Sequence, residues 1–72
     1  MDFDSLRTVF VDELQDIYSA ETQLIAALPK MAQAADSADL RDAFENHLAE
    51  TREQATRVER ILSSLNEAPG AV

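Results

Sequence analysis

Apolar residues recur at steps of three and four along the first half of the chain, the spacing of one face of an α-helix. The row is apolar except for one carboxylate and comprises Phe3, Leu6, Phe10, Leu14, Ile17, Glu21, Leu24, Leu28 and Met31. It predicts a helix over about residues 4–35, capped by Asp4 or Ser5. A carboxylate in an apolar row costs free energy unless it is protonated, paired or bound to a metal. Glu21 is therefore the first candidate functional residue.

Pro29 falls inside this predicted helix. A proline in a helix removes one backbone hydrogen bond and clashes with the carbonyl group four residues earlier. Because the helical pattern continues through Met31 to Ala35, we predict a kink near Pro29. The alternative is two helices with a break near Ala27 or Leu28.

The segment 36–39 predicts a turn, in which Asp36 or Ser37 caps a second helix over about residues 38–65. The second apolar row has a polar centre and comprises Leu40, Phe44, His47, Thr51, Gln54, Val58, Ile61 and Leu65, widened by Ala43, Leu48, Ala55 and Leu62. Residues 66–72 are predicted to form a flexible tail. Residues 1–65 then form one helical hairpin.

The predicted fold class is all-α: an antiparallel helical hairpin that dimerises into a four-helix bundle. Each apolar row is too wide to be covered by one neighbouring helix, and a second hairpin would cover the remainder. A core built from 72 residues is marginal without further support. The chain has no cysteine, which excludes disulfides and thiolate metal sites. We therefore expect a homodimer or higher homo-oligomer.

Charge and hydropathy exclude several partners. Fourteen acidic residues against six basic ones give a net charge of −8, which disfavours nucleic acid and anionic membrane surfaces. No apolar run is long enough to cross a bilayer. The acidic start of the chain is unlike a signal peptide, so the expected location is the cytoplasm.

The polar centre of the second helix faces Glu21 across the predicted hairpin. At about 1.5 Å per residue, Glu21 lies roughly 23 Å from the turn, His47 about 15 Å and Glu50 about 20 Å. A twofold axis would gather two copies of each, the ligand types of a dinuclear metal site in a ferritin-like bundle. Glu21, His47 and Glu50 are the predicted ligands of two Fe or Mn ions per dimer. The surrounding polar residues are Tyr18, Thr51 and Gln54, and no catalytic residue is assigned beyond the ligands.

Other interpretations of these residues stay open. A glutamate or histidine in an apolar row also serves to set helix register, with no metal bound. Glu45, Glu53 and Glu59 are predicted to be surface charges. The order His47-x-x-Glu50 also reverses the Glu-x-x-His order that is usual in di-iron bundles.

Several runs, together with their spacing, resemble the YciE/YciF-type ferritin-like family of bacterial stress-associated proteins. They are FVDEL at 10–14, DIYSAETQL at 16–24, ALPKM at 27–31, AF at 43–44 and HLAET at 47–51. The resemblance covers Leu6 to about Leu65. It implies a rubrerythrin-like helical bundle with a dinuclear metal centre, whose ligands by position are Glu21, His47 and Glu50.

Members of that family usually continue into a second helical hairpin, so the chain corresponds to the first hairpin alone. It is either a natural half-length form that dimerises or a fragment whose missing half is replaced by a second copy. The leading hypothesis is a metal-binding protein that oxidises Fe(II) with dioxygen or peroxide in iron handling or stress response. An enzyme of this kind would be ferroxidase-like or peroxide-reducing. The alternative is a non-enzymatic dimerisation module whose polar layer sets register.

Overall fold

The computed structural model describes residues 2–70, which form two antiparallel helices. Helix α1 spans Phe3–Ala34 and helix α2 spans Ala38–Ser64, and no strand occurs within residues 2–70. The molecule measures 51 × 19 × 16 Å, which is the size of two helices lying side by side. The predicted spans, 4–35 and 38–65, differ from the observed bounds by at most one residue at either end. The all-α hairpin is therefore confirmed.

Helix α1 begins earlier than predicted. The carboxylate of Asp2 accepts a hydrogen bond from the backbone N–H of Ser5 at 2.8 Å, so Asp2 is the N-cap in place of Asp4 or Ser5. Asp2 has the extended backbone of a cap, whereas Asp4 and Ser5 already lie in the helix. The same hydrogen bond lowers the pKa of the Asp2 carboxyl group.

Helix α1 continues through Pro29 to Ala34, so the alternative of a break near Ala27 or Leu28 is wrong. The chain turns at residues 35–37, and α2 is capped by Ser37, one of the two predicted caps, and not by Asp36. The side-chain oxygen of Ser37 accepts from the backbone N–H of Leu40 at 3.1 Å. The kink expected near Pro29 stays a prediction.

Helix α2 ends in a left-handed reversal at Asn66, whose φ is +59°. The N–H of Glu67 donates to the carbonyl of Leu62 at 2.9 Å, and the N–H of Asn66 donates to that of Ser63 at 3.0 Å. These two bonds form a Schellman cap. The following residues turn back along α1, where the side chain of Gln15 donates to the carbonyl of Ala68 at 3.0 Å. Residues 66–70 thus contact α1, while residues 71–72 of the predicted tail lie outside the described residues.

Each predicted apolar row divides into a buried part and an exposed part. The buried part packs α1 on α2 and comprises Val11, Leu14, Leu28, Ala32, Ala55, Val58 and Leu62. The exposed part includes Phe3, Leu6, Phe10, Ile17, Leu24, Met31, Leu40 and Ile61. The prediction of one continuous row on each helix therefore needs correction, because one neighbouring helix covers only one strip of a wide apolar surface.

By their rotation around each helix, the exposed apolar residues just named fall on one side of the hairpin, which we call the open face. At about 100° of rotation per residue, the exposed row of α1 lies roughly 80° around the helix from the side packed on α2. In a four-helix bundle each helix has two neighbours at about this angle. Neither described helix has a stretch long and apolar enough to cross a membrane.

Candidate metal-binding site

Glu21 lies in the seam between the two helices. Leu14 lies seven residues before Glu21, and Leu28 lies seven residues after it, so the three side chains share one side of α1. All three are buried. Only 7% of Glu21 is exposed. Its Oε2 atom is buried and has no hydrogen-bond partner among residues 2–70. A buried carboxylate oxygen without a partner costs about 1–3 kcal/mol or more, so this side chain destabilises the isolated hairpin.

Thr51 is the other buried polar residue of the seam, with 1% exposed. Its hydroxyl group donates to the backbone carbonyl of His47, one turn earlier in α2, at 2.8 Å. Such a bond within the helix satisfies the hydroxyl locally. Thr51 therefore packs in the seam and donates its hydroxyl hydrogen to its own helix. That hydrogen is not donated to Glu21.

The remaining predicted site residues of α2, namely His47, Glu50 and Gln54, are exposed. Within residues 2–70 no three His, Asp or Glu side chains lie close enough together to hold a metal ion. One hairpin therefore does not assemble the predicted ligands, because Glu21 is buried in the seam while His47 and Glu50 are exposed on α2. Completion of the site by a second hairpin stays a prediction.

Tyr18 makes its hydrogen bond away from Glu21. Its hydroxyl group donates to Oε1 of Glu59 on α2 at 2.5 Å. This hydrogen bond raises the pKa of Tyr18, and desolvation and the Glu59 charge act in the same direction. The predicted role of Tyr18 beside the metal ligands is not seen in the hairpin, where the hydroxyl group ties α1 to α2.

Sequence reasoning did not identify the pairing of Glu59, which was predicted to be a surface charge. Glu59 is exposed, as predicted, but it is also the acceptor that links the helices through Tyr18. The two residues are 41 positions apart, and nothing local marks them as a pair. Only the register of the folded hairpin brings them together.

An apolar hollow lies at the end of the hairpin opposite the turn. It has a volume of about 430 Å³ and is lined by Phe3, Leu6, Arg7, Phe10 and Leu65. Leu65 lines the hollow and also packs against the hydrophobic cluster formed by Val11, Leu14, Val58 and Leu62.

The donor types fit a hard divalent cation better than other groups. Carboxylate and imidazole donors without thiolates suit Fe or Mn ions. The buried Oε2 atom of Glu21 lacks the partner that a cation would supply. The residues therefore fit the metal by chemistry, although a single hairpin supplies too few of them in one place.

Comparison with known proteins identifies the relatives of the chain. Residues 5–72 match the family described as a domain of unknown function, DUF892. The chain belongs to the DUF892 family. It is similar to Protein YciF of Escherichia coli (strain K12), with 41% identity over 64 residues, which cover 89% of the chain and 39% of that relative. The YciF-type resemblance is thus confirmed.

The chain spans about two fifths of the length of this relative, since 39% of the latter is covered. The whole relative therefore contains more than the two helices described above. No solved structure matches the chain.

Proposed function

We propose that the hairpin is one half of a carboxylate-rich metal site, which binds Fe or Mn ions when a second hairpin covers the open face. The resulting ferritin-like four-helix bundle would act in the cytoplasm, in iron handling or stress response. The buried Oε2 atom of Glu21, which has no hydrogen-bond partner among residues 2–70, is the observation that carries the proposal. A bound cation would compensate for the cost of burying this carboxylate.

The residues of the chain have separable roles in such a site. Glu21 is the carboxylate ligand held in a water-poor seam, between Leu14 and Leu28 along the helix. His47 and Glu50 are one turn apart on α2, so they lie on the same side of that helix and can both face a second hairpin. If bound there, Fe(II) or Mn(II) would supply the electrons for the reduction of dioxygen or peroxide.

Metal binding by three variants tests the proposal. Anaerobic titration with Fe(II) or Mn(II), followed by dialysis and elemental analysis, measures the metal held by each. We expect Glu21→Gln to weaken binding at least tenfold, since the amide keeps the shape of the side chain but removes the charge. The matched control is Glu53→Gln, which removes an exposed carboxylate on α2 and leaves binding unchanged. Equal metal content in the parent and Glu21→Gln would overturn the site.

The open face favours a second candidate function, a dimerisation module without a metal. Its exposed residues include Phe10, Ile17 and Leu24 on α1, which form an apolar surface suited to another helix pair. A buried polar layer then serves to set register. The two functions differ in their response to a chelator. A ligand that binds only the folded state raises its melting temperature, so removal of metal lowers that temperature only in the metal-binding case.

A further inference from the structure

Half of the basic residues of the chain lie in one short stretch of α2. The chain has six Lys and Arg residues, and three of them, Arg52, Arg57 and Arg60, fall within residues 52–60. We call these three side chains the arginine cluster. In a chain whose net charge is −8, the cluster is a local concentration of positive charge. Its position is therefore worth explaining.

The arginine cluster lies on the side of α2 that faces away from α1. At about 100° of rotation per residue, its middle is roughly 150° around the helix from the residues that pack in the seam. All three arginines are exposed. The open face lies on the other flank of the seam, so a helix packed there would leave the cluster in contact with solvent. The cluster thus stays accessible whether or not the open face is covered.

The three arginines border a common hollow. Its volume is about 390 Å³, and it is lined by Arg52, Glu53, Thr56, Arg57 and Arg60. A volume of this size falls within the range of small-molecule sites, about 300–1,000 Å³. Along the axis of α2, Thr56 is about 6 Å from both Arg52 and Arg60, which is within reach of their long side chains. One ligand above Thr56 can therefore contact all three guanidinium groups.

Pairing within the helix does not account for the arginine cluster. Within residues 2–70 the one ion pair is Arg7–Glu67, so no arginine of the cluster is paired there. Neither Arg52 nor Arg60 has an acidic residue three or four positions away in the sequence. Arg57 follows Glu53 by four positions, but Arg60 lies only one turn beyond Arg57, and like charges one turn apart destabilise a helix. A bound anion would remove this repulsion.

Charge and donor count favour a phosphate group over a carboxylate. Three arginines and Glu53 give the hollow a net charge of +2, which matches the charge of a phosphate monoester, about −1.5 to −2 at pH 7. Each guanidinium group can donate two parallel hydrogen bonds to an oxyanion, so three can donate about six. A carboxylate accepts about four, whereas the three terminal oxygens of a phosphate monoester accept more.

We propose that the arginine cluster binds a small molecule that carries a phosphate group, with that group above Thr56. The apolar stems of the arginines line the hollow around the ligand. A long polyanion such as nucleic acid fits less well, because it would also meet the acidic remainder of the chain. The site lies on the outer side of α2 and does not depend on the proposed metal function.

Titration of the metal-free protein with two matched anions tests the ligand class. Phenyl phosphate and benzoate share an aromatic ring and differ in the anionic group. At constant low ionic strength and with a chelator present, we expect calorimetry to show at least tenfold tighter binding of phenyl phosphate. Equal affinity for both anions, or no binding of phenyl phosphate, would overturn the proposal. Tighter binding of a short DNA duplex than of phenyl phosphate would also overturn it, in favour of nucleic acid.

Two substitutions that each remove one positive charge test the position of the site. We expect Arg57→Gln to weaken the binding of phenyl phosphate at least tenfold. Lys30→Gln is the matched control, because Lys30 is exposed on α1 near the turn, and should leave binding unchanged. Circular dichroism checks that both variants keep the helix content of the parent. Equal losses in the two variants would attribute binding to net charge and overturn the site.

Two further variants test the chemistry of the hollow. Arg57→Lys keeps the charge but loses the planar fork of two donors, so we expect binding several-fold weaker than in the parent. Glu53→Gln removes the one negative charge from the hollow and should strengthen binding several-fold. Parent-like affinity in Arg57→Lys would contradict recognition by paired guanidinium donors. Weaker binding in Glu53→Gln would contradict the placement of the phosphate group in this hollow.

Discussion

The seam between the helices and the open face have the same kind of residues but different environments. In the seam, Leu62 is fully buried and packs with Val58 and Val11. On the open face, Ile17 and Phe10 have about half of their surface exposed: 47% and 49%. The apolar pattern of a helix thus indicates how much of its surface favours burial, but not which helix or molecule buries it. The three predictions that follow test this difference.

The largest effect is expected in the seam. Leu62→Ala removes a fully buried side chain and should lower the free energy of unfolding by about 3 kcal/mol at every protein concentration. Ile17→Ala on the open face should cost about 1 kcal/mol, and the loss should depend on protein concentration, because the proposed dimerisation module would bury this residue between two copies. Urea denaturation at two protein concentrations measures both. A concentration-independent loss for Ile17→Ala would show that the open face is not an intermolecular interface.

The second effect concerns the one carboxylate in the seam. Glu21→Leu replaces a buried carboxyl group, whose Oε2 atom has no hydrogen-bond partner among residues 2–70, with an apolar side chain. It should raise the free energy of unfolding by about 1–3 kcal/mol in the presence of a chelator. Glu53→Leu, on the exposed side of α2, should change it by less than about 0.5 kcal/mol. Thermal unfolding of the metal-free proteins provides the measurement. If Glu21→Leu is less stable than the parent, the carboxylate has a stabilising contact in the metal-free protein.

The smallest effect lies at the Tyr18–Glu59 pair. The raised pKa of Tyr18 means that the fold favours the neutral phenol. Its contribution to stability is complete below the ordinary tyrosine pKa of about 10 and is lost as pH rises through the folded-state pKa. Glu59→Gln should lower the midpoint of tyrosine ionisation toward its ordinary value. Tyr18 is the only tyrosine, so the absorbance of tyrosinate during alkaline titration reports this residue alone.

A charge-matched control variant separates the effect of the Tyr18–Glu59 hydrogen bond from that of the overall charge. Glu53→Gln removes a similar charge from α2 without touching Tyr18, and should leave the midpoint unchanged. An equal shift in both variants would attribute the raised pKa to the general negative charge of the protein instead of to the hydrogen bond.

Local pattern predicted the helices well, because helix formation depends on spacing and capping within a few residues. The turn was predicted, with Asp36 or Ser37 as the cap, and the favoured prediction at Pro29 was that α1 continues through it. The Asp2 cap was missed because Asp4 and Ser5 are equally good capping residues by type. Nothing in the sequence alone decides which of the three nearby residues, Asp2, Asp4 or Ser5, has the extended backbone of a cap.

The candidate site was predictable only in part. The burial of Glu21 followed from its place in the apolar row, and the structure confirms that burial. The division of each row into seam and open face did not follow, since the rotation of one helix against the other is set by contacts between residues far apart in the chain. For the same reason, His47 was predicted in the seam but is exposed, and the Tyr18–Glu59 bond was missed.

The reversal at Asn66 has a mechanical consequence. One end of the hairpin is closed by the covalent turn at residues 35–37. The opposite end is closed by hydrogen bonds, since Arg7 donates to the carbonyl of Leu65 and Gln15 donates to that of Ala68. A force that pulls the start of α1 away from the end of α2 must break these bonds before it can peel the helices apart. Residues 66–70 therefore resist the separation of α1 from α2 at this end of the hairpin.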